Sequence, residues 1–222
     1  MLTAGMASAY TIDYSVSSVG NDLNTGLSLN NKLVETFNAA VLGNLPSSGL
    51  DQQASWIWSG DGQIFNGLLN GTATNPNTSS PFGLSQRDQT NYLSVPNPYQ
   101  NGFATLSLNA TYNTFGLWWG SVDSYNTISF FKSGIATGES FTGSVVAPPA
   151  NGDQTVSGTN RFVNFVDLKE FDSVRFDSQG FAFEFDNVTV GNVVPEPGTI
   201  ALFGLGMAGL AVFGKRRQNN KA

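Results

Sequence analysis

Neither cysteine nor histidine occurs in the chain. Without cysteine there is no disulfide, no thiolate metal site and no thiol nucleophile. Without histidine the commonest general base is missing, and with it the Ser-His-Asp triad and His-ligated zinc or iron. Enzymes that need only carboxylates remain open to such a chain. Charge is also scarce: Asp, Glu, Lys and Arg make up 12% of the 222 residues, about half the usual share. Amides and hydroxyls must keep the surface wet, a style common in exported all-β domains. Helical cytosolic enzymes, rich in Lys, Glu and Ala, look different.

The few charges are unevenly placed. Nearly all the acidic residues lie between Tyr10 and Val194, where basic residues are few. From Gly198 onward there are four cations, Lys215, Arg216, Arg217 and Lys221, and no acid. An acidic body excludes nucleic acid as a partner, because binding needs cations that displace counterions. A length of 222 residues suits one domain with a real core, plus targeting segments at the ends.

The C-terminal order of parts is the strongest signal. Pro195-Glu196-Pro197 is followed by an uncharged apolar run from Thr199 to Gly214, which Lys215-Arg216-Arg217 then stops. As a helix this run spans roughly 24 Å; with flanking cations it suits a single transmembrane helix across a thin bilayer, and its length alone suits a buried core helix or an ordinary tail anchor equally. Cations after the span hold that end in the cytoplasm and put the body outside. The two prolines keep the motif extended and deny it two N–H donors, so it cannot join the adjacent helix.

This tail resembles the PEP-CTERM sorting signal: a Pro-Glu-Pro motif, a short Gly-rich membrane helix and a terminal basic cluster. The resemblance implies processing near the motif by an exosortase, a membrane enzyme with a Cys-centred active site, in a Gram-negative-type bacterium that makes exopolysaccharide. The protein would be the substrate, passing through the inner membrane and on to the cell surface or the medium. At the other end, Ala7-Ser8-Ala9 has the small-x-small form of a signal-peptidase site. Residues 1–9 therefore read as the remnant of a signal peptide, residues 10–193 as the exported domain and residues 194–222 as the sorting signal.

The body reads as mainly β. Ala104, Leu106 and Leu108 alternate with polar residues, as do Ile128 and Phe130. Phe181, Phe183 and Phe185 do the same against Glu184 and Asp186 and predict a strand with one buried and one wet face. Phe141, Gly143 and Val145 suggest a further half-strand. Turn signals such as Asn151-Gly152-Asp153 separate the runs. The expectation is a β-sandwich of jelly-roll type. Leu29, Leu33, Phe37 and Val41 recur every four residues after Ser28, which predicts one N-terminal helix. The stretch 66–100, rich in Asn, Thr, Ser, Pro and Gly, reads as a long loop or decorated edge. Gly116 to Thr127, with Trp118-Trp119-Gly120-Ser121, resembles a stretch of one group of exosortase-dependent surface proteins. Phe181 to Val190 resembles the closing strand of that group.

Several residues are candidate sites. Trp118 and Trp119 are neighbours on a strand, so one belongs in the core while the other, with Tyr125, is a candidate platform for a sugar ring. Trp56 and Trp58 share a face and form a second candidate. Plain core packing is the competing reading for both pairs. Asp123, Asn126, Asp186 and Asn187 supply oxygens of the kind that hold a structural Ca²⁺, or that simply cap turns. Glu184 and Asp186 are the candidate acid/base pair of a carboxylate-only glycan hydrolase. The leading reading is a non-enzymatic surface protein associated with exopolysaccharide or biofilm. A carbohydrate-binding adhesin is the alternative, and the hydrolase a second one. The Ala7-Ser8-Ala9 site carries a test: surface material should begin at or near Tyr10 on N-terminal sequencing, and an intact Met1 there would remove the idea.

Overall fold

A computed structural model describes residues 10–14, 29–50, 55–66, 90–154, 158–193 and residue 207. In chain order the elements are β1 (Thr11–Asp13), β2 (Leu29–Glu35), β3 (Ile57–Gly60), β4 (Gln63–Asn66), β5 (Asn91–Val95), β6 (Gly102–Tyr112), β7 (Thr114–Gly120), β8 (Thr127–Lys132), β9 (Ile135–Thr142), the single helical turn α1 (Gly143–Val146), β10 (Arg161–Val166), β11 (Phe171–Ser178) and β12 (Phe183–Val193). They form two antiparallel sheets. One has seven strands in the order β1-β10-β7-β12-β5-β4, with β2 also paired to β12. The other has five, in the order β3-β6-β11-β8-β9.

Period-two sequence makes these strands. Ala104 and Leu106 on β6, Ile128 and Phe130 on β8, and Phe183 and Phe185 on β12 are all fully buried, as alternation requires. The inner faces of the two sheets meet through aromatic rings. Phe176 of β11 stacks on Phe185 of β12, centroids 4.3 Å apart, and Trp58 of β3 lies within 5.8 Å of Phe176. Further along, Phe115 of β7 meets Phe130 of β8 edge-on at 5.6 Å. Ser133 and Gly134 both have positive φ, the turn geometry that closes a two-residue hairpin between β8 and β9.

β12 is the central strand. β7 pairs with one edge from Glu184↔Gly120 to Gly191↔Thr114, with a register shift between Asp186 and Thr189. The other edge is shared: β5 takes Phe183–Phe185, and β2 takes Val188–Val193. This sharing corrects the predicted N-terminal helix. Leu29–Glu35 is a strand because the second half of β12 needs a partner, and tertiary pairing overrides a four-residue apolar spacing. Asn31 and Phe37 have φ of 52° and 56°, outside the helical region, and Val41 is exposed.

Three further expectations change. Gly143–Val146 is a helical turn rather than a half-strand: the Ala147 N–H donates to the Gly143 carbonyl, and Val145 is exposed. Within the 66–100 stretch, Asn91–Val95 is a true strand between β4 and β12. The face of β12 opposite the core is not wet, for Glu184 and Asp186 are both fully buried. Among the described residues no helix is long and apolar enough to cross a membrane. The apolar run Thr199–Gly214 and residues 1–9 lie outside them, apart from Met207.

The aromatic contacts set an expectation for stability. Phe176→Ala removes the ring that joins Phe185, Trp58, Phe115 and Phe183, and should cost about 3–5 kcal/mol in denaturant unfolding. Ile135→Ala, at an exposed site on an edge strand, should change stability by no more than about 0.5 kcal/mol.

Candidate functional site

At the end of the seven-stranded sheet where β12 begins and β7 leaves, polar side chains converge. Gly120 of β7 is the partner of Glu184, so Ser121 emerges just beyond it. The Ser121 hydroxyl donates to Glu184 Oε2 at 2.9 Å, and its backbone N–H donates to Asn160 Oδ1 at 2.9 Å. Ser121 has φ of 39°, a left-handed conformation that few serines adopt. Those two bonds hold it there.

The following residues are tied to two other segments. The Val122 N–H donates to the Thr159 carbonyl, and the Gly152 N–H to the Val122 carbonyl. Gly152 has φ of 68°, and a Cβ there would lie 2.5 Å from Asp123 Oδ1, so this close approach needs glycine. Asn126 is buried. Its amide donates to the Ala182 carbonyl at 3.2 Å, and its Oδ1 accepts from the Ser178 hydroxyl at 2.7 Å. Tyr125 packs on Gly180, where a Cβ would meet its ring at 2.8 Å.

Between these segments lies a cleft of about 430 Å³. Its walls are Gln100, Ser121, Asp123, Tyr125, Gln154 and Phe181, with the Asn151-Gly152 turn at one side. The Tyr125 hydroxyl lies 2.8 Å from Asp123 Oδ2 and 2.7 Å from the Phe181 carbonyl. One phenolic proton therefore faces two acceptors. Burial raises the Asp123 pKa, and the Tyr125 hydrogen bond lowers it in part. Tyr125 is held well above its ordinary value, first by burial, then by the hydrogen bond and charge of Asp123, and last by the charge of Glu184. The phenol stays neutral and serves as a donor.

The residues singled out in the sequence are dispersed. Trp119 is fully buried and stacked on Phe183 at 4.2 Å, and Trp56 and Trp58 lie in the core. Trp118 is buried on the other face of β7, edge-on to Phe162. Each of these rings is covered by protein, and of the stacking candidates only Tyr125 reaches the cleft. The proposed Ca²⁺ donors serve different partners. Asp123 binds Tyr125, Asn126 binds Ser178 and Ala182, Asp186 accepts from Thr90 and from the Asn187 N–H, and Asn187 is buried. Among the described residues no group of three or more His, Cys, Asp or Glu side chains could hold a metal ion. Glu184 and Asp186 share a face but are fully buried. Pro195, Glu196, Pro197, Lys215, Arg216 and Arg217 lie outside the described residues.

Sequence reasoning missed most of the cleft. Ser121 stood inside the Trp-Trp-Gly-Ser stretch and Asn151-Gly152 read as a turn, so a faint signal existed for both. Gln100, Gln154 and Phe181 carried none as cleft walls, because only folding brings them beside Asp123.

Residues 193–217 match the PEP-CTERM protein-sorting motif. That motif indicates an exported protein routed to the cell surface by way of the membrane, and implies processing by an exosortase. No curated protein sequence matches the chain. Among solved structures, a cleaved adhesin domain of Lys-gingipain is similar at 10% identity and a TM-score of 0.40, over 72% of this chain and 98% of that one. Another cleaved adhesin domain of Lys-gingipain, from Porphyromonas gingivalis, has 13% identity and a TM-score of 0.36, over 74% of this chain and 100% of that one. A putative alpha-L-fucosidase from Bacteroides thetaiotaomicron has 10% identity and a TM-score of 0.31, over 61% of this chain and 28% of that one.

The raised Asp123 pKa has a measurable consequence. A carboxyl whose folded pKa lies above its unfolded value costs stability once ionised; the cost is absent below the unfolded pKa and complete above the folded one. Asp123→Asn removes that charge. Its amide can donate to the Tyr125 oxygen while Tyr125 donates to the Phe181 carbonyl. The variant should therefore melt at least as high as the parent at neutral pH. Its relative gain should shrink as pH falls and vanish near about pH 3.5. A variant that melts lower at neutral pH, with no pH dependence in the difference, would contradict this.

Proposed function

We propose that this is a non-enzymatic surface protein of an exopolysaccharide-producing cell, exported, tethered briefly in the inner membrane, and then released from its tail by an exosortase. The observation that carries this reading is the junction at Val193. The sorting motif begins at the residue on which β12 ends.

The junction suits processing because the folded body is locked up to that point. The Val193 N–H donates to Asn113 Oδ1 at 3.0 Å, and the Asn113 N–H donates to Asn192 Oδ1 at 3.1 Å. Asn192 and Val193 also pair with Asn30 and Leu29. Among the described residues, the pairs of β12 end at Val193. The Pro-Glu-Pro segment just after it cannot extend the strand, since proline has no N–H for the ladder. A protease at the membrane would thus meet an extended peptide next to a folded domain. The non-enzymatic part of the reading rests on Glu184 and Asp186. Both are sealed from solvent, whereas glycoside hydrolysis needs two carboxylates facing a substrate.

The test is processing in a host that has an exosortase. The full-length chain should appear first in the inner membrane, followed by a shorter form outside. Replacing Pro195, Glu196 and Pro197 by Ala should leave insertion intact, because the apolar run drives it, and should make the long form accumulate. Neutral residues in place of Lys215, Arg216 and Arg217 should act earlier, by weakening the orientation signal. Normal maturation of the triple-Ala variant would sink the reading.

A further inference from the structure

The cleft at the start of β12 has a chemistry and a place in the fold that the sorting signal does not explain. The Gln100 and Gln154 side chains line it, and neither makes a hydrogen bond to another described residue. Asp123 uses Oδ2 for Tyr125 and has no described partner at Oδ1. The cleft therefore offers two amides, each both donor and acceptor, and one carboxylate oxygen. Tyr125 and Phe181 are partly buried lining residues, and the surface that the cleft presents is mainly polar.

The character of these groups selects the ligand. An anion only accepts hydrogen bonds and would face Asp123, with Glu184 beneath Ser121 and no cationic side chain among the described lining residues. A metal ion finds no sufficient carboxylate group among the described residues. An organic ammonium only donates, and would leave the amide N–H groups unmatched. An extended peptide is captured by adding a strand to an open sheet edge. Here the neighbouring strands β7 and β12 are interior and already paired on both sides. Hydroxyl groups donate and accept at once, and so match amides and a carboxylate together. A volume of about 430 Å³ lies within the range of small-ligand sites.

Position adds a second argument. Ser121 and Phe181 sit at the Phe183 end of β12, while the sorting motif continues from Val193 at the other end. Ten residue steps of strand separate the two by about 33 Å. A protein held by its tail thus turns the cleft away from the membrane.

We infer that this polar cleft is a binding site for a neutral glycan, with Gln100, Gln154 and Asp123 as its hydrogen-bonding groups and Tyr125 and Phe181 beside them. Its outward orientation rests on the tethering proposed above. The binding itself does not, so a failure of processing leaves the binding result standing, and the reverse also holds.

The experiment uses the full-length protein in detergent micelles and isothermal titration with five probes. Four are neutral: cellohexaose, laminarihexaose, maltohexaose and mannohexaose. The fifth, hexagalacturonate, is acidic. At least one neutral probe should bind with Kd below about 1 mM, and more tightly than hexagalacturonate. The double variant Gln100→Ala/Gln154→Ala should bind that probe about tenfold or more weakly. Its melting temperature should not change, because neither side chain bonds to another described residue. Trp118→Phe, on the covered face of β7, should bind like the parent. Absence of binding to all four neutral probes overturns the inference. So does preferred binding of hexagalacturonate, or a double variant that binds as tightly as the parent.

Discussion

The structure depends on a strand that is paired along both edges. β12 pairs with β7 along one edge and with β5 and β2 in succession along the other. Its side chains are buried on both faces from Phe183 to Gly191. Each backbone N–H and C=O taken from water must find a partner, or cost free energy comparable to a lost hydrogen bond. Ladder pairing meets that demand along most of the strand, with a break at the register shift around Asn187. It also explains why Leu29–Glu35 is recruited as β2, for the second half of β12 would otherwise be a bare edge beside the core.

The same strand links the two functional regions. At one end, Glu184 accepts the Ser121 hydroxyl and so helps to hold the segment that forms the cleft. At the other, Asn113 clamps Asn192 and Val193, where the sorting motif begins. Asn113 is the single residue between β6 and β7, the point where the chain passes from the five-stranded sheet to the seven-stranded one. The end of β12 is therefore tied to the corner that joins both sheets.

Polar burial is the feature that local reasoning handles worst here. Glu35, Glu184 and Asp186 are all fully buried, and such groups are tolerable only when hydrogen-bonded. Glu35 accepts from the backbone N–H groups of Phe37 and Leu50, and Asp186 from Thr90 and Asn187. Partners 15 residues away for Glu35, 63 for Glu184 and 96 for Asp186 cannot be read from neighbouring letters. The strand alternation of Glu184 and Asp186 correctly set them on one face, yet could not say that Ser121 and Thr90 would cover it.

Much was nevertheless legible. The period-two runs at Ala104–Leu108, Ile128–Phe130 and Phe183–Phe185 determined strands, because side chains alternate faces along any extended backbone. The missing cysteine and histidine closed whole classes of chemistry. The sorting signal was complete in the sequence, because it is read by composition and order and needs no fold. Tertiary structure alone decided that Leu29–Glu35 is a strand, that Trp56, Trp58 and Trp119 lie in the core, and that Gln100 and Gln154 meet Asp123 in one cleft. The physical reason is range. Alternation and composition act within a few residues, whereas edge pairing and cleft formation depend on segments that only the closed sheets bring together.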